Sequence, residues 1–321
     1  MRYPAEKPND RASEAEGPDL GVRDLDRLSS QELVDFMLEE EARVVPALQR
    51  ERVRLAALVD AVAERLERGG RLVYVGAGTS GRLAMLDAIE CQPTFGLEPG
   101  RVVALLAGGT RALHEPVEEA EDDETAGARD VAALGVGSDD AVLGISASGR
   151  TPYVLGALAR ARQDGAFVAA LVCQRPSPVE QLADLVVAPL VGPEVLAGST
   201  RMKAGTAQKI ALTTVSTAVM VRLGRTYGNL MVDVRPVNRK LWRRAVRIVA
   251  EVTGLPEDEA AYFLERAGGE AKTAILMALT GLDAVQARAR LTAAGGRLRQ
   301  ALASDSPTGP ASAASPDQQR S

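Results

Sequence analysis

Residues 72–82 read Leu72-Val-Tyr-Val-Gly76-Ala-Gly78-Thr79-Ser80-Gly81-Arg82, an apolar run of strand length that enters a glycine-rich turn and then a helix. Glycines let a backbone approach an anion closely. Thr79, Ser80 and the first free amides of the helix supply donors and the positive end of a dipole. Gly76, Gly78 and Gly81 also match GxGxxG, so a dinucleotide site has to be weighed. Such a site places an acid about twenty residues on, at the end of a second strand. Here the second apolar run, 102–106, ends in Ala107-Gly108-Gly109 instead.

Working outward, further short apolar runs lie at 102–106, 141–145, 167–172 and 185–188, most of them separated by helix-length segments such as 152–163. Alternation of this kind predicts an α/β fold, a doubly wound parallel sheet covered on both faces, with ligands at the carboxyl ends of its strands. The run at 141–145 closes with Ser146-Ala-Ser148-Gly-Arg-Thr151-Pro, a second hydroxyl-rich loop opening a helix. Two such loops suit a monophosphate cradle better than a pyrophosphate crevice. The competing reading makes these serines and threonines ordinary helix caps.

Before the first strand, Leu55, Leu58, Val59, Val62 and Leu66 recur at helical spacing up to Gly69-Gly70. After about residue 189 the strand signal stops. Long helices are expected over 202–223 and 238–252, then short ones broken near Gly268-Gly269, Gly281 and Gly295-Gly296. The predicted organisation is a polar, disordered tail over 1–20, a helical segment over 21–50, the α/β domain over 51–235, a small helical subdomain over 236–303 and a second disordered tail over 304–321. No internal repeat is visible.

The 321 residues carry 43 acids against 38 bases and only ten aromatics, four Phe, five Tyr and one Trp. Nucleic acid is therefore not an expected partner, because that role needs a basic face and aromatic platforms for bases. The single histidine, His114, excludes a metal site built from several imidazoles, and Cys91 and Cys173 form no CxxC. The amino end lacks an apolar signal core and no eighteen apolar residues run together, so a cytoplasmic protein with no membrane partner is expected.

Five segments then converge. GAGTSGRLAMLDAIECQPTFG at 76–96, AGGTRALHEPVEEAEDD at 107–123, GISASGRTPYVLGAL at 144–158, GSTRMKAGTAQK at 198–209 and YGNLMVDVRPVN at 227–238 resemble, in order and spacing, the motifs of the bacterial N-acetylmuramic acid 6-phosphate etherases. The similarity covers about residues 24–302. It implies a sugar-isomerase (SIS) fold with a helical carboxyl-terminal subdomain, a pairing of two copies, and no cofactor. The implied reaction cleaves the D-lactyl ether of a phosphorylated amino sugar. An ether leaves badly on direct hydrolysis, but in the open-chain sugar the C1 aldehyde acidifies the C2 proton, and the lactyl oxygen sits at C3. Elimination followed by water addition needs a basic and an acidic group in one pocket.

The resemblance assigns these roles to Glu90, as the acid that protonates the departing oxygen, and to Glu121, as the base at C2. Without it, Glu90 reads as the end of a helix and Glu121 as one of a solvated acidic run. The expected substrate contacts are Gly78, Thr79, Ser80 and Gly81 in the first loop, Ser146, Ser148 and Thr151 in the second, and Lys203. Arg201 and Lys203 read equally well as surface cations lying along their aliphatic stems. His114 reads as an exposed histidine, Cys91 as a buried packing residue and 210–221 as core or subunit interface. Two positions depart from the family pattern: Ile89 stands where serine is usual and Gln92 where proline is usual. The rival functions are a phosphosugar sensor without turnover and an aldose–ketose isomerase of the same fold.

Overall fold

The computed structural model describes residues 24–304. The two expected tails, apart from Ser304, lie outside the described residues. The chain divides into two units, one ending at Leu223 and the other beginning at Gly224.

The first unit opens with α1 (Ser30–Glu41), α2 (Val44–Arg50) and α3 (Arg52–Glu67). Ser29 starts α1 with a capping box, its hydroxyl accepting from the Glu32 amide while the Glu32 carboxylate takes the Ser29 amide. Then follow β1 (Leu72–Gly76), α4 (Gly78–Phe95), β2 (Val102–Leu106), α5 (Glu124–Ala133), β3 (Ala141–Ile145), α6 (Pro152–Gln163), β4 (Phe167–Leu171), β5 (Leu185–Val187) and α7 (Lys203–Arg222). All five strands are parallel, in the order β2-β1-β3-β4-β5. Parallel strands buried on both faces need apolar residues at every position, which is why these runs do not alternate with polar ones.

Successive side chains of one strand serve different cores, because Cβ directions alternate. Leu72 and Tyr74 join the core built with α3, α4 and α7, whereas Val73 and Val75 join the one built with α6. Within α7, Leu212, Val215, Val219 and Met220 are core residues, Ile210 is half-buried and Val221 is exposed.

The second unit contains α8 (Arg239–Thr253), α9 (Glu257–Arg266), α10 (Ala271–Thr280), α11 (Ala284–Ala293) and α12 (Leu298–Ala303). Its core joins Ile248 and Val249 of α8 to Leu264, Ile275, Leu276 and Leu298. Gly254 and Gly281 end α8 and α10 in left-handed conformations. The sequence boundary at 235/236 moves to 223/224 for a packing reason: Val232 and Val234, 1% and 3% exposed, are core residues of the helical unit. No helix among the described residues is long and apolar enough to cross a membrane.

Candidate active site

The strand order reverses between β1 and β3, which are hydrogen-bonded neighbours with Gly76 opposite Ile145. The loops following these strands therefore emerge side by side at the carboxyl edge, where open α/β sheets place their ligands. The third glycine of the first loop is a packing requirement. A Cβ on Gly81 would run into Leu106 Cδ1 and lie 2.6 Å from the Gly76 carbonyl oxygen, so only glycine lets α4 start this close to the sheet. Gly78 has φ of 51°, in the left-handed region.

Neither loop spends its hydroxyls on capping. The residue preceding α4 is Ala77, and no side chain closes that helix end. Thr79 and Ser80 are half-buried, and Ser80 Oγ donates to Gln208 Oε1 of α7 at 2.9 Å. Thr151 stands at the start of α6 without making a cap bond. Its hydroxyl instead donates to Glu121 Oε1 at 3.1 Å and shares a 2.9 Å hydrogen bond with Ser146 Oγ. Ser146, 4% exposed, also accepts from the Gly149 amide at 3.0 Å, and the half-buried Ser148 accepts from the Arg150 amide at 3.2 Å.

Glu121 is thus fastened once to the second loop and once to the first turn of α6, where its carbonyl accepts from the Tyr153 amide at 3.0 Å. It follows a single 3-10 turn, Glu118–Ala120, and is exposed. Within the acidic run, this one exposed carboxylate is also held by a threonine on a different segment.

Glu90 does not terminate its helix, which continues to Phe95 and ends at the left-handed Gly96. Twelve residues separate Glu90 from Gly78, so it lies about 18 Å along the α4 axis from the glycine loop. It is exposed, as is its neighbour Ile89 at 56%. One turn earlier, Asp87 anchors this part of α4: Oδ2 accepts from the fully buried Tyr74 hydroxyl at 2.9 Å and Oδ1 from Ser216 of α7 at 3.0 Å. Burial raises the Asp87 carboxyl above the ordinary range, opposed by these two hydrogen bonds. Cys91 is 2% exposed, and its thiol is pushed up to about 12 by burial and then by Asp87, which leaves it an inert packing residue.

Lys203 departs from both expectations. It is 1% exposed, and its ammonium donates to Glu40 Oε2 of α1 at 2.6 Å, so it is not a surface cation, and the anion it faces is a carboxylate of its own chain. Two backbone amides at the start of α7, those of Lys203 and Ala204, donate to Glu194 at 3.0 and 2.9 Å. Arg201 and His114 are exposed. Three residues escaped the sequence reading: Glu40, hidden in the run Glu39-Glu40-Glu41; Asp87, the one polar position in the apolar stretch 83–89; and Gln208. Gln208 had the clearest signal, a long polar side chain at a core position between Ala207 and Ala211.

In the helical unit, a cavity of about 750 Å³ is bordered by Arg239, Lys240, Arg243, Arg244 and Arg247 of α8. A local basic face therefore exists, which the net charge of −5 averages away.

Comparison with known proteins places this geometry. Residues 54–162 match the glucokinase regulatory protein N-terminal SIS domain, 113–218 the SIS domain, and 228–272 the C-terminal lid domain of glucokinase regulatory protein. An N-acetylmuramic acid 6-phosphate etherase of Rubrobacter xylanophilus is 55% identical over 300 residues, 92% of this chain and 97% of the relative. The chain belongs to the N-acetylmuramic acid 6-phosphate etherase family. Etherases of Geobacillus thermodenitrificans, 50% identical over 88% of this chain and 95% of theirs, and of Mycolicibacterium smegmatis, 49% identical over 91% and 98%, extend the match. Among solved structures, phosphoheptose isomerase GmhA from Neisseria gonorrhoeae is similar, with a TM-score of 0.48 and 18% identity over 60% of this chain and 98% of that one. Of Glu90 and Glu121, the one hydrogen-bonded to a hydroxyl-rich loop is Glu121.

Proposed function

We propose that this protein is a carbon–oxygen lyase that converts N-acetylmuramic acid 6-phosphate into N-acetylglucosamine 6-phosphate and D-lactate. The family relationship supports that activity. The observation that carries the chemistry is the Thr151 hydrogen bond, which draws Glu121 out of an acidic run to the edge where the two cradle loops emerge.

In this reading the loops at Gly78–Gly81 and Ser146–Thr151 hold the phosphorylated amino sugar in its open-chain form. Glu121 takes the C2 proton, whose electron pair is delocalised onto the C1 aldehyde. The C3–oxygen bond then breaks, with Glu90 delivering a proton to the departing lactate oxygen. Glu121 then releases that proton to solvent, from which Glu90 regains its own, and takes one from the water that adds to C3 of the unsaturated aldehyde, returning it to C2. Every step is a proton transfer, the elimination it assists or an addition to an activated double bond, the work two positioned carboxyl groups perform.

The separation along α4 bears on assembly. Glu90 lies too far from the glycine loop of its own chain for one sugar phosphate to reach both, so we place Glu90 in the site of a second copy, as a homodimer with shared sites. A cytoplasmic role in reusing cell-wall sugar fits this substrate.

The deciding experiment follows D-lactate release from N-acetylmuramic acid 6-phosphate in water enriched in heavy oxygen. Lactate with the label in the sugar is expected. Lactate carrying the label itself would overturn cleavage at C3, and sugar-phosphate binding without lactate would favour the sensor. An isomerised sugar phosphate that keeps its lactyl group would favour the isomerase.

A further inference from the structure

Gln208 is the residue on which the first loop rests. Its side chain is 1% exposed, its Oε1 holds the Ser80 hydroxyl, and one turn earlier on α7 a Cβ at Gly205 would sit 3.5 Å from Thr79 Cγ2. The Nε2 of the same carboxamide is buried and has no hydrogen-bond partner among the described residues. Buried N–H groups are normally paired, since leaving one unpaired forfeits its hydration without return. An unpaired donor one carbon away from the atom that holds Ser80 has a chemical use if the loop opens onto it.

We infer that Gln208 is a ligand-binding residue that reads a hydroxyl of the sugar, an inference that rests on the phosphosugar reading of the loops. Ser80 is half-buried and turns about a single side-chain dihedral. When it swings to the ligand it uncovers a carboxamide with one donor and one acceptor side by side. A sugar hydroxyl both donates and accepts, and so satisfies both. A phosphate dianion only accepts and meets half of the pair. The buried Nε2 thereby gains the partner it lacks in the free protein, and that gain is specific to the sugar part of the ligand. Gln208 thus sets specificity beneath a loop whose glycines and helix end serve the anion.

The test is calorimetric binding of two probes, N-acetylglucosamine 6-phosphate and inorganic phosphate, to the full-length wild type and to Gln208→Met, which keeps the length and apolar stem without the amide. The expected result is sugar-phosphate binding weakened about tenfold, the size of one lost hydrogen bond in a buried site, with phosphate binding within twofold. Equal weakening of both probes, or no weakening of the sugar phosphate, overturns the inference. So does a wild type that binds neither. If the variant does not fold, the side-chain amide resonance of Gln208 in the wild type decides: it shifts with the sugar phosphate and not with phosphate, and a resonance unmoved by the sugar phosphate overturns the inference. Absence of lactate release would sink the etherase reading while these binding measurements still judge Gln208.

Discussion

At the scale of single residues, the candidate chemistry depends on what restrains each carboxylate. The Thr151 hydroxyl donates to Glu121, so Thr151→Val is expected to lower kcat/KM about tenfold while Thr151→Ser retains most of it, the loss expected for one hydrogen bond to a charged group. Steady-state kinetics of D-lactate release check this. The two cysteines give a second outcome. Both thiols are pushed up to about 12, by burial first in each case, so a thiol reagent at pH 8 should label neither in the folded protein and both after denaturation. Labelling of Cys91 in the folded protein would show that this part of α4 opens to solvent.

Asp87 links residue chemistry to pH. Its folded carboxyl titrates above the ordinary value, so the folded state holds this proton more tightly than the unfolded chain does. The group therefore favours folding below its unfolded pKa, and that contribution is lost as pH rises through the folded value. Asp87→Asn should flatten the dependence of urea-unfolding stability on pH just above 4, where unfolded aspartate titrates. Asp87→Ala should cost about 1–3 kcal/mol, because the Tyr74 hydroxyl, fully buried, is left without an acceptor.

At the scale of elements, α7 is the common wall of the first unit, touching α1 through Lys203, α4 through Ser216 and the glycine loop through Gln208. Removing one partner of a buried ion pair leaves an uncompensated charge, which typically costs about 3–5 kcal/mol, whereas replacing both with apolar residues is often neutral. Glu40→Ala is therefore expected to destabilise strongly, and Glu40→Leu with Lys203→Met to restore most of the loss in chemical denaturation. Recovery would show that the pair fastens α1 to α7, while retained lactate release in the double variant would confirm that the Lys203 ammonium is dispensable to the substrate.

The helices and strands themselves were legible because each leaves a local record. Strand-length apolar runs alternating with helix-length segments pointed to a sheet buried on both faces, and 152–163 was read to the residue as α6. The boundary at 235 was misplaced because Val232 and Val234 lie in an irregular segment whose burial no periodicity records.

At the scale of the whole molecule, the proposed pairing of Glu90 with Glu121 across two copies can be tested directly. If one site combines Glu90 of one subunit with Glu121 of the other, Glu90→Gln and Glu121→Gln proteins, each inactive, should regain activity when unfolded together and refolded as a mixture. Half of the dimers would be mixed and each would hold one intact site, so about a quarter of wild-type activity is expected. No recovery would mean that both glutamates act within one chain.

The amino-acid sequence by itself determined the doubly wound parallel sheet, the helical carboxyl-terminal unit, the two hydroxyl-rich loops and the family, because burial pattern, glycine spacing and motif order are properties of contiguous segments. Only the tertiary structure decided that Lys203 is buried on Glu40, that Thr151 holds Glu121 and that Gln208 lies against Ser80. Each of these is a contact between side chains 30 to 163 positions apart along the chain. Hydrogen bonds and ion pairs act over a few ångströms, and which groups come that close is settled by how helices pack on the sheet.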